Sequence, residues 1–201
     1  MIISLFTFCK SKEDTIKEEW KHLSFVKPDG SLLEPKFWSE KKSVLYFGFS
    51  HCPDMCPLAL TNFGRASLIL GEKSNRFRFI FVTLDPERDS PTTLKNYINN
   101  FPGKNLTALS PNAESLIKLT DLFGIVREKV GEGKNYRIDH SNFIYVLDEN
   151  LNTLANFPGG VSANGLATKL QRTCGTLEVS IISISVLCTF RIISSYFETK
   201  L

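Results

Sequence analysis

Ser43-Val44-Leu45-Tyr46-Phe47-Gly48-Phe49 runs without a break into Ser50-His51-Cys52-Pro53-Asp54-Met55-Cys56-Pro57. The first seven residues form a continuous apolar run of strand length, the pattern of a strand covered on both faces. From Leu58 to Leu70 the spacing becomes helical, with Leu60, Phe63, Ser67, Leu68 and Leu70 able to share one buried flank. A buried strand handing over to an amphipathic helix points to an α/β protein. The two cysteines stand at the handover itself.

Downstream the alternation continues. Phe77 to Leu84 reads as a second strand, closed by Asp85-Pro86. Thr92 to Phe101 reads as a helix, with Ser90 as N-cap and Pro91 at its first position. Leu106 to Leu109 is a short strand, Asn112 to Phe123 a helix, and Ile125 to Val130 strand-like. Gly131-Glu132-Gly133-Lys134-Asn135 follows as a glycine-containing loop. Phe143 to Asp148 and Leu151 to Phe157 predict a hairpin around Glu149-Asn150, and Ala163 to Arg172 a last helix. Upstream, His22 to Val26 and Ser31 to Leu33 flank Pro28-Asp29-Gly30, which is strong turn chemistry for another hairpin. The order predicts a three-layer α/β sandwich with a mixed central sheet and an added N-terminal hairpin. No internal repeat or low-complexity segment interrupts it.

The chain divides by composition into a tail at 1–21, a single domain at 22–172, and an extension at 173–201. Met1 to Cys9 is apolar but far shorter than the roughly 20 residues that a membrane span requires, and reads as the remnant of an anchor or as a frayed end. Leu177 to Phe197 reads equally as a strand or as an appendage, so membrane association through a terminal segment stays open. Sixteen phenylalanines and 42% hydrophobic residues supply an ample core. A formal charge of +3 without like-charge runs argues against nucleic acid as a partner.

Five cysteines, widely scattered, do not make a disulfide-stapled scaffold. Cys52 and Cys56 stand apart from Cys9, Cys174 and Cys188 by their context. Residues four apart face the same side of a helical turn, and a helix N-terminus stabilises a thiolate. Two such sulfurs suit soft metals: Cu(I), zinc or an iron-sulfur cluster. A third donor must come from one of three histidines. His22 lies in the predicted first strand, and His51 is too close in sequence to Cys52 for easy joint coordination, although its cation would lower the neighbouring thiol. His140, in Asp139-His140-Ser141, follows the glycine loop and is the better candidate. A lone histidine is more often an ordinary surface residue; the cysteine pair reverses that weighting. Sequence alone does not choose copper over zinc.

Two other chemistries use the same cysteines. A redox pair would exchange thiols for disulfides, although the spacing is CxxxC rather than CxxC. A thiol peroxidase would need an activating arginine or glutamine-tryptophan pair, and no such set adjoins the motif.

Four stretches carry a family resemblance: Tyr46 to Pro57, then Leu84-Asp85-Pro86-Glu87-Arg88-Asp89, then Tyr136-Arg137-Ile138-Asp139-His140, and more weakly Phe157-Pro158-Gly159-Gly160. Over about His22 to Arg172 the chain resembles the Sco/SenC family of copper-binding assembly proteins for cytochrome c oxidase. That resemblance implies a thioredoxin-like fold and one copper ion, Cu(I) or Cu(II), held by Cys52, Cys56 and His140. It also places Asp85 near the site without making it a ligand. The implied partners are the copper-accepting subunit of the oxidase and a further copper chaperone. The implied setting is the periplasmic face of a bacterial inner membrane or the mitochondrial intermembrane space. The competing expectation is a thiol-disulfide reductase that keeps the acceptor's cysteines reduced, with Cys52 and Cys56 as its redox pair. In the copper reading, the loop from Glu128 to Asn135 lets His140 release first.

Overall fold

The computed structural model describes residues 18–173 apart from Lys21, Lys104 and Lys134. The two apolar stretches Met1 to Cys9 and Leu177 to Phe197, together with Cys174 and Cys188, lie outside the described residues. Among those described, no helix is long and apolar enough to cross a membrane.

Among the described residues the fold is built from eight strands and four longer α-helices. Strands β1 (Phe25–Val26), β2 (Lys42–Gly48), β3 (Phe77–Thr83), β4 (Leu106–Pro111), β7 (Phe143–Leu147) and β8 (Thr153–Pro158) form one sheet in the order β1-β4-β3-β2-β7-β8. Strands β2, β3 and β4 are mutually parallel, while β1, β7 and β8 each run antiparallel to their neighbours. The sheet is therefore mixed, as expected. Strands β5 (Arg127–Val130) and β6 (Arg137–His140) pair separately as a two-stranded ribbon. The helices are α1 (Met55–Leu70), α2 (Pro91–Ile98), α3 (Ala113–Phe123) and α4 (163–173).

The alternation of strand side chains builds the three layers. Val44 and Tyr46 of β2, Phe77, Phe79 and Phe81 of β3, and Ile144 and Val146 of β7 face one core with Leu60 and Phe63 of α1, Leu94 of α2 and Leu166 and Leu170 of α4. Leu45, Phe47, Ile80, Val82, Tyr145 and Leu147 face the other, against Leu116 and Leu119 of α3 and the aromatic group of Trp20, Phe25 and Trp38. The run Ser43 to Phe49 is buried throughout because both its faces are covered.

Helix boundaries follow the local chemistry. The Ser90 hydroxyl accepts the Thr93 N–H at 3.1 Å and Pro91 opens α2, while the Asn112 side chain caps α3 through Ser115. Ser90→Ala is expected to cost about 1 kcal/mol and to lower the melting temperature by about 2–4 °C, measured by thermal unfolding.

Several expectations are corrected. Helix α1 begins at Met55 rather than Leu58 and so takes in Cys56. Leu68 is 57% exposed, off the buried flank that Leu60, Phe63, Ser67 and Leu70 share. The N-terminal hairpin, by contrast, is present: hydrogen bonds from the Lys27 N–H to the Ser31 carbonyl and from the Leu33 N–H to the Phe25 carbonyl, with an antiparallel Val26–Leu32 bridge, form it on the edge of β1 that does not pair with β4. His22 precedes that strand, in a turn. The segment Arg137–His140, read only as the approach to a strand, is itself β6.

Candidate metal and thiol site

The site lies at the carboxyl end of β2, where ligands of open α/β sheets are commonly held. Gly48 ends the strand. A Cβ there would stand 2.6 Å from the Cys56 Sγ and 2.9 Å from Phe81 Cε2, so only glycine lets α1 lie this close to β2. The chain then turns through Phe49 to Cys52, which is half-buried, while Cys56 is fully buried in the first turn of α1. Both cysteines are free thiols.

Asp54, in the N-cap position, makes no side-chain cap. Cys52 sulfur takes that place, accepting the Cys56 N–H at 3.5 Å. The Cys52 thiol is pulled down to about 5, first because the Cys56 thiol donates to it. Burial opposes this, but backbone N–H groups of Cys56, Asp54 and Met55 add to the lowering. Cys56 is pushed well above the usual thiol range by the same hydrogen bond, then by burial and by the negative Cys52. One proton is thus held between two sulfurs, and it resides on Cys56.

A depressed value means the Cys52 thiolate is present above about pH 5 and lost as the pH falls through it. Alkylation of Cys52 by iodoacetamide is expected to be flat from neutrality down to about pH 6, and to fall with a midpoint near 5. Cys56→Ala should move that midpoint up toward an ordinary thiol, about 8.5, because the strongest donor to the thiolate is gone. Mass spectrometry after timed alkylation reads both.

His140, the last residue of β6, comes to the same place. Its Nε2 stands 3.9 Å from Cys56 Sγ, and its Nδ1 lies 2.9 Å from the Ser141 carbonyl. A carbonyl only accepts, so Nδ1 carries the N–H, and Nε2 is the ring nitrogen aimed at the sulfur. The rings of Phe49 and Tyr46 stand edge-on to the imidazole, with centroids 6.0 and 6.5 Å away. Among the described residues, no three His, Cys, Asp or Glu side chains already converge as a cluster that could hold a metal ion. Closing a three-donor site therefore requires a small side-chain movement.

His51 is turned away. Its ring lies 3.0 Å from the Ser50 hydroxyl and 3.8 Å from Asp89, with a half-exposed side chain. The expected freedom of the glycine loop is also not at His140. The segment Arg127–Val130 is strand β5, and β5 pairs with β6 so that Arg127 faces His140, which leaves the loop at the far tip of the ribbon.

Of the supporting residues, sequence reasoning placed Asp85 near the site and missed the others. Asp89, fully buried, accepts from the Ser50 N–H at 3.0 Å, the Ser50 hydroxyl at 2.5 Å and the Thr83 hydroxyl at 2.6 Å. It anchors the turn that leads into Cys52. Asp85 accepts from Arg88 at 2.5 Å and from the Tyr136 hydroxyl at 2.6 Å. Tyr136 in turn packs with Phe49 and Ile138 against Cys52. Asp85 is thus one side chain removed from the sulfur. Tyr46 and Asn142, 3.0 Å apart, complete the surroundings. The signal for Asp89 was its position in Asp85-Pro86-Glu87-Arg88-Asp89, read as a charged loop; Asn142 left none.

The family model described as SCO1/SenC matches residues 11–175. A SCO2-like protein of Rickettsia typhi is 39% identical over 132 residues, which cover 64% of this chain and 64% of that protein. The mitochondrial protein SCO1 of Saccharomyces cerevisiae is 36% identical over 114 residues, covering 54% of this chain and 38% of the relative. The aligned part thus spans less than two thirds of the curated relatives' own length. The structure of Bradyrhizobium japonicum ScoI with copper bound superposes with a TM-score of 0.68 at 28% identity, over 75% of this chain and 96% of the other. The fold is therefore thioredoxin-like, as the resemblance implied. With its matched stretch spanning both the cysteine turn and the β6 histidine, the chain belongs to the SCO1/SenC family.

Proposed function

We propose that this protein carries one copper ion on Cys52, Cys56 and His140 and supports metallation of the copper site of cytochrome c oxidase. The observation that carries the reading is the aim of His140: its Nε2 faces Cys56 Sγ at 3.9 Å while Nδ1 is tied to the Ser141 carbonyl. Two sulfurs and one imidazole are a soft, low-coordinate donor set suited to copper. A relative solved with copper bound, Bradyrhizobium japonicum ScoI, supports the choice of metal. The fit of the residues is chemical rather than already closed, since the donors must still draw in.

Transfer would proceed by ligand exchange. A three-donor set leaves room for an incoming acceptor cysteine, and half-buried Cys52 is the donor that an approaching protein reaches first. The partner is then the copper-accepting subunit of the oxidase, with a second copper chaperone as supplier. The setting is the periplasmic side of a bacterial inner membrane or the mitochondrial intermembrane space. We take residues 22–172 as the working unit, with 1–21 and 173–201 as appendages.

The depressed Cys52 thiol favours a second reading, thiol-disulfide exchange. There the Cys52 thiolate attacks an acceptor disulfide and releases one acceptor thiolate, leaving a mixed disulfide. Cys56, giving up its proton, then attacks the Cys52 sulfur and frees the second acceptor thiolate. Two electrons pass to the acceptor, and Cys52–Cys56 ends as a disulfide. Titration of the reduced protein with Cu(I), with metal analysis after desalting, separates the readings. One retained equivalent, lost in His140→Ala while disulfide reduction persists, supports the copper role. No retained copper with intact reduction assigns the protein to the reductase.

A further inference from the structure

We propose that Tyr46 is a positioning residue that ties His140 to the cysteine pair through Asn142. The proposal deepens the copper reading and rests on it for its functional meaning. Tyr46 lies in β2 with no exposed surface. Its hydroxyl stands 3.0 Å from Asn142 Oδ1 and 3.8 Å from Cys56 Sγ. A phenol has one hydrogen and accepts through its oxygen. The hydroxyl donates to the carboxamide oxygen, the shorter contact, with the buried Cys56 sulfur as a second, longer acceptor of the same hydrogen.

Asn142 is two residues beyond His140, on the short connector that leads from the end of β6 to β7. Its backbone carbonyl accepts the Gly159 N–H at 3.0 Å, and a Cβ on Gly159 would lie 1.8 Å from Asn142 Oδ1. The carboxamide is thus packed against bare backbone and kept within reach of Tyr46. The strand that feeds the cysteine turn and the connector that follows the histidine are joined by one hydrogen bond, 3.0 Å long, whose donor also touches Cys56. A tyrosine serving only the core would need its ring alone. The second contact, from the hydroxyl to the histidine's connector, is what a positioning role requires.

The test uses the full chain, reduced. Tyr46→Phe keeps the ring and removes the hydroxyl; Asn142→Ala removes the acceptor from the other end of the same bond. The His140 ring resonances of the metal-free protein are followed by NMR, and Cu(I) affinity by competition with a chelator. Both variants are expected to move the His140 resonances in the same direction and to weaken copper binding about tenfold, as loss of an outer-shell partner does. The double variant should bind no more weakly than either single one, because only one bond is broken. Unmoved resonances in Tyr46→Phe, or losses that add in the double variant, would overturn the proposal. Wild-type protein that retains no copper would remove the copper reading alone. The metal-free resonances would then decide the latch: a shared displacement supports it, and no displacement ends it.

Discussion

Cys56→Ser is expected to leave the protein folded and unable to retain copper after desalting, where the wild type holds one equivalent. Cys56 is the centre of the arrangement: its sulfur meets His140 Nε2 at 3.9 Å and the Tyr46 hydroxyl at 3.8 Å, and its backbone N–H reaches the Cys52 sulfur. Serine is nearly the same size, but its oxygen is a hard donor and its hydroxyl does not ionise near neutral pH, so a soft metal loses a thiolate. Only Cys52 and His140 then remain. Cys52→Ser and His140→Ala should fail in the same assay for the same reason. His51→Ala should not, because that ring is directed to Ser50 and Asp89 rather than into the site. Copper retained by Cys56→Ser, or lost in His51→Ala, would contradict this assignment of donors.

Asp89→Ala is expected to be the most destabilising single change near the site, by about 3 kcal/mol or more. The fully buried carboxylate receives three hydrogen bonds, from the Ser50 N–H, the Ser50 hydroxyl and the Thr83 hydroxyl. Deleting it leaves the buried Thr83 hydroxyl and the partly buried Ser50 N–H without their acceptor, and a buried donor left unpaired costs about 1–3 kcal/mol. The Thr83 hydroxyl keeps its role as acceptor from the Asp85 N–H, which limits the collapse to the turn before Cys52. For a domain of this size, 3 kcal/mol corresponds to a fall of about 6–12 °C in melting temperature. Asp89→Asn preserves the shape but offers one acceptor oxygen in place of two, and should fall in between. A melting temperature for Asp89→Ala within about 1 °C of wild type would show that the network contributes little, against the cost expected for buried unpaired donors.

The sequence carried the fold wherever periodicity was strong. Ser43 to Phe49 could only be a doubly covered strand, and β3, α3 and the β7–β8 hairpin followed from the same alternation of apolar length and turn chemistry. Ser90-Pro91 gave the start of α2 because capping is local. The ribbon β5–β6 was half missed, since Arg137-Ile138-Asp139-His140 alternates over only four residues and has a partner across a loop rather than beside it. Helix α1 starts three residues before the helical spacing becomes legible at Leu58, because Met55-Cys56-Pro57 has no apolar period. Proline there needs no N–H, being in the first turn.

At the site, the donors were legible and their supports were not. Cys52 and Cys56 announced themselves by spacing and by the strand-to-helix junction. His140 was chosen over His22 and His51 by elimination and context, and it is the histidine that faces Cys56. Asp89, Tyr46 and Asn142 act through contacts separated by 39 and 96 positions along the chain, which no local pattern encodes. Gly48 reads in sequence as a gap in an apolar strand. Its necessity appears only when Cys56 Sγ is found where its Cβ would be.

X-ray absorption at the copper edge of the reduced, Cu(I)-loaded protein tests the central claim most directly. The account predicts a three-coordinate first shell of two sulfurs and one imidazole nitrogen, with the nitrogen component lost in His140→Ala. A shell without sulfur, or one whose nitrogen survives that substitution, would contradict it.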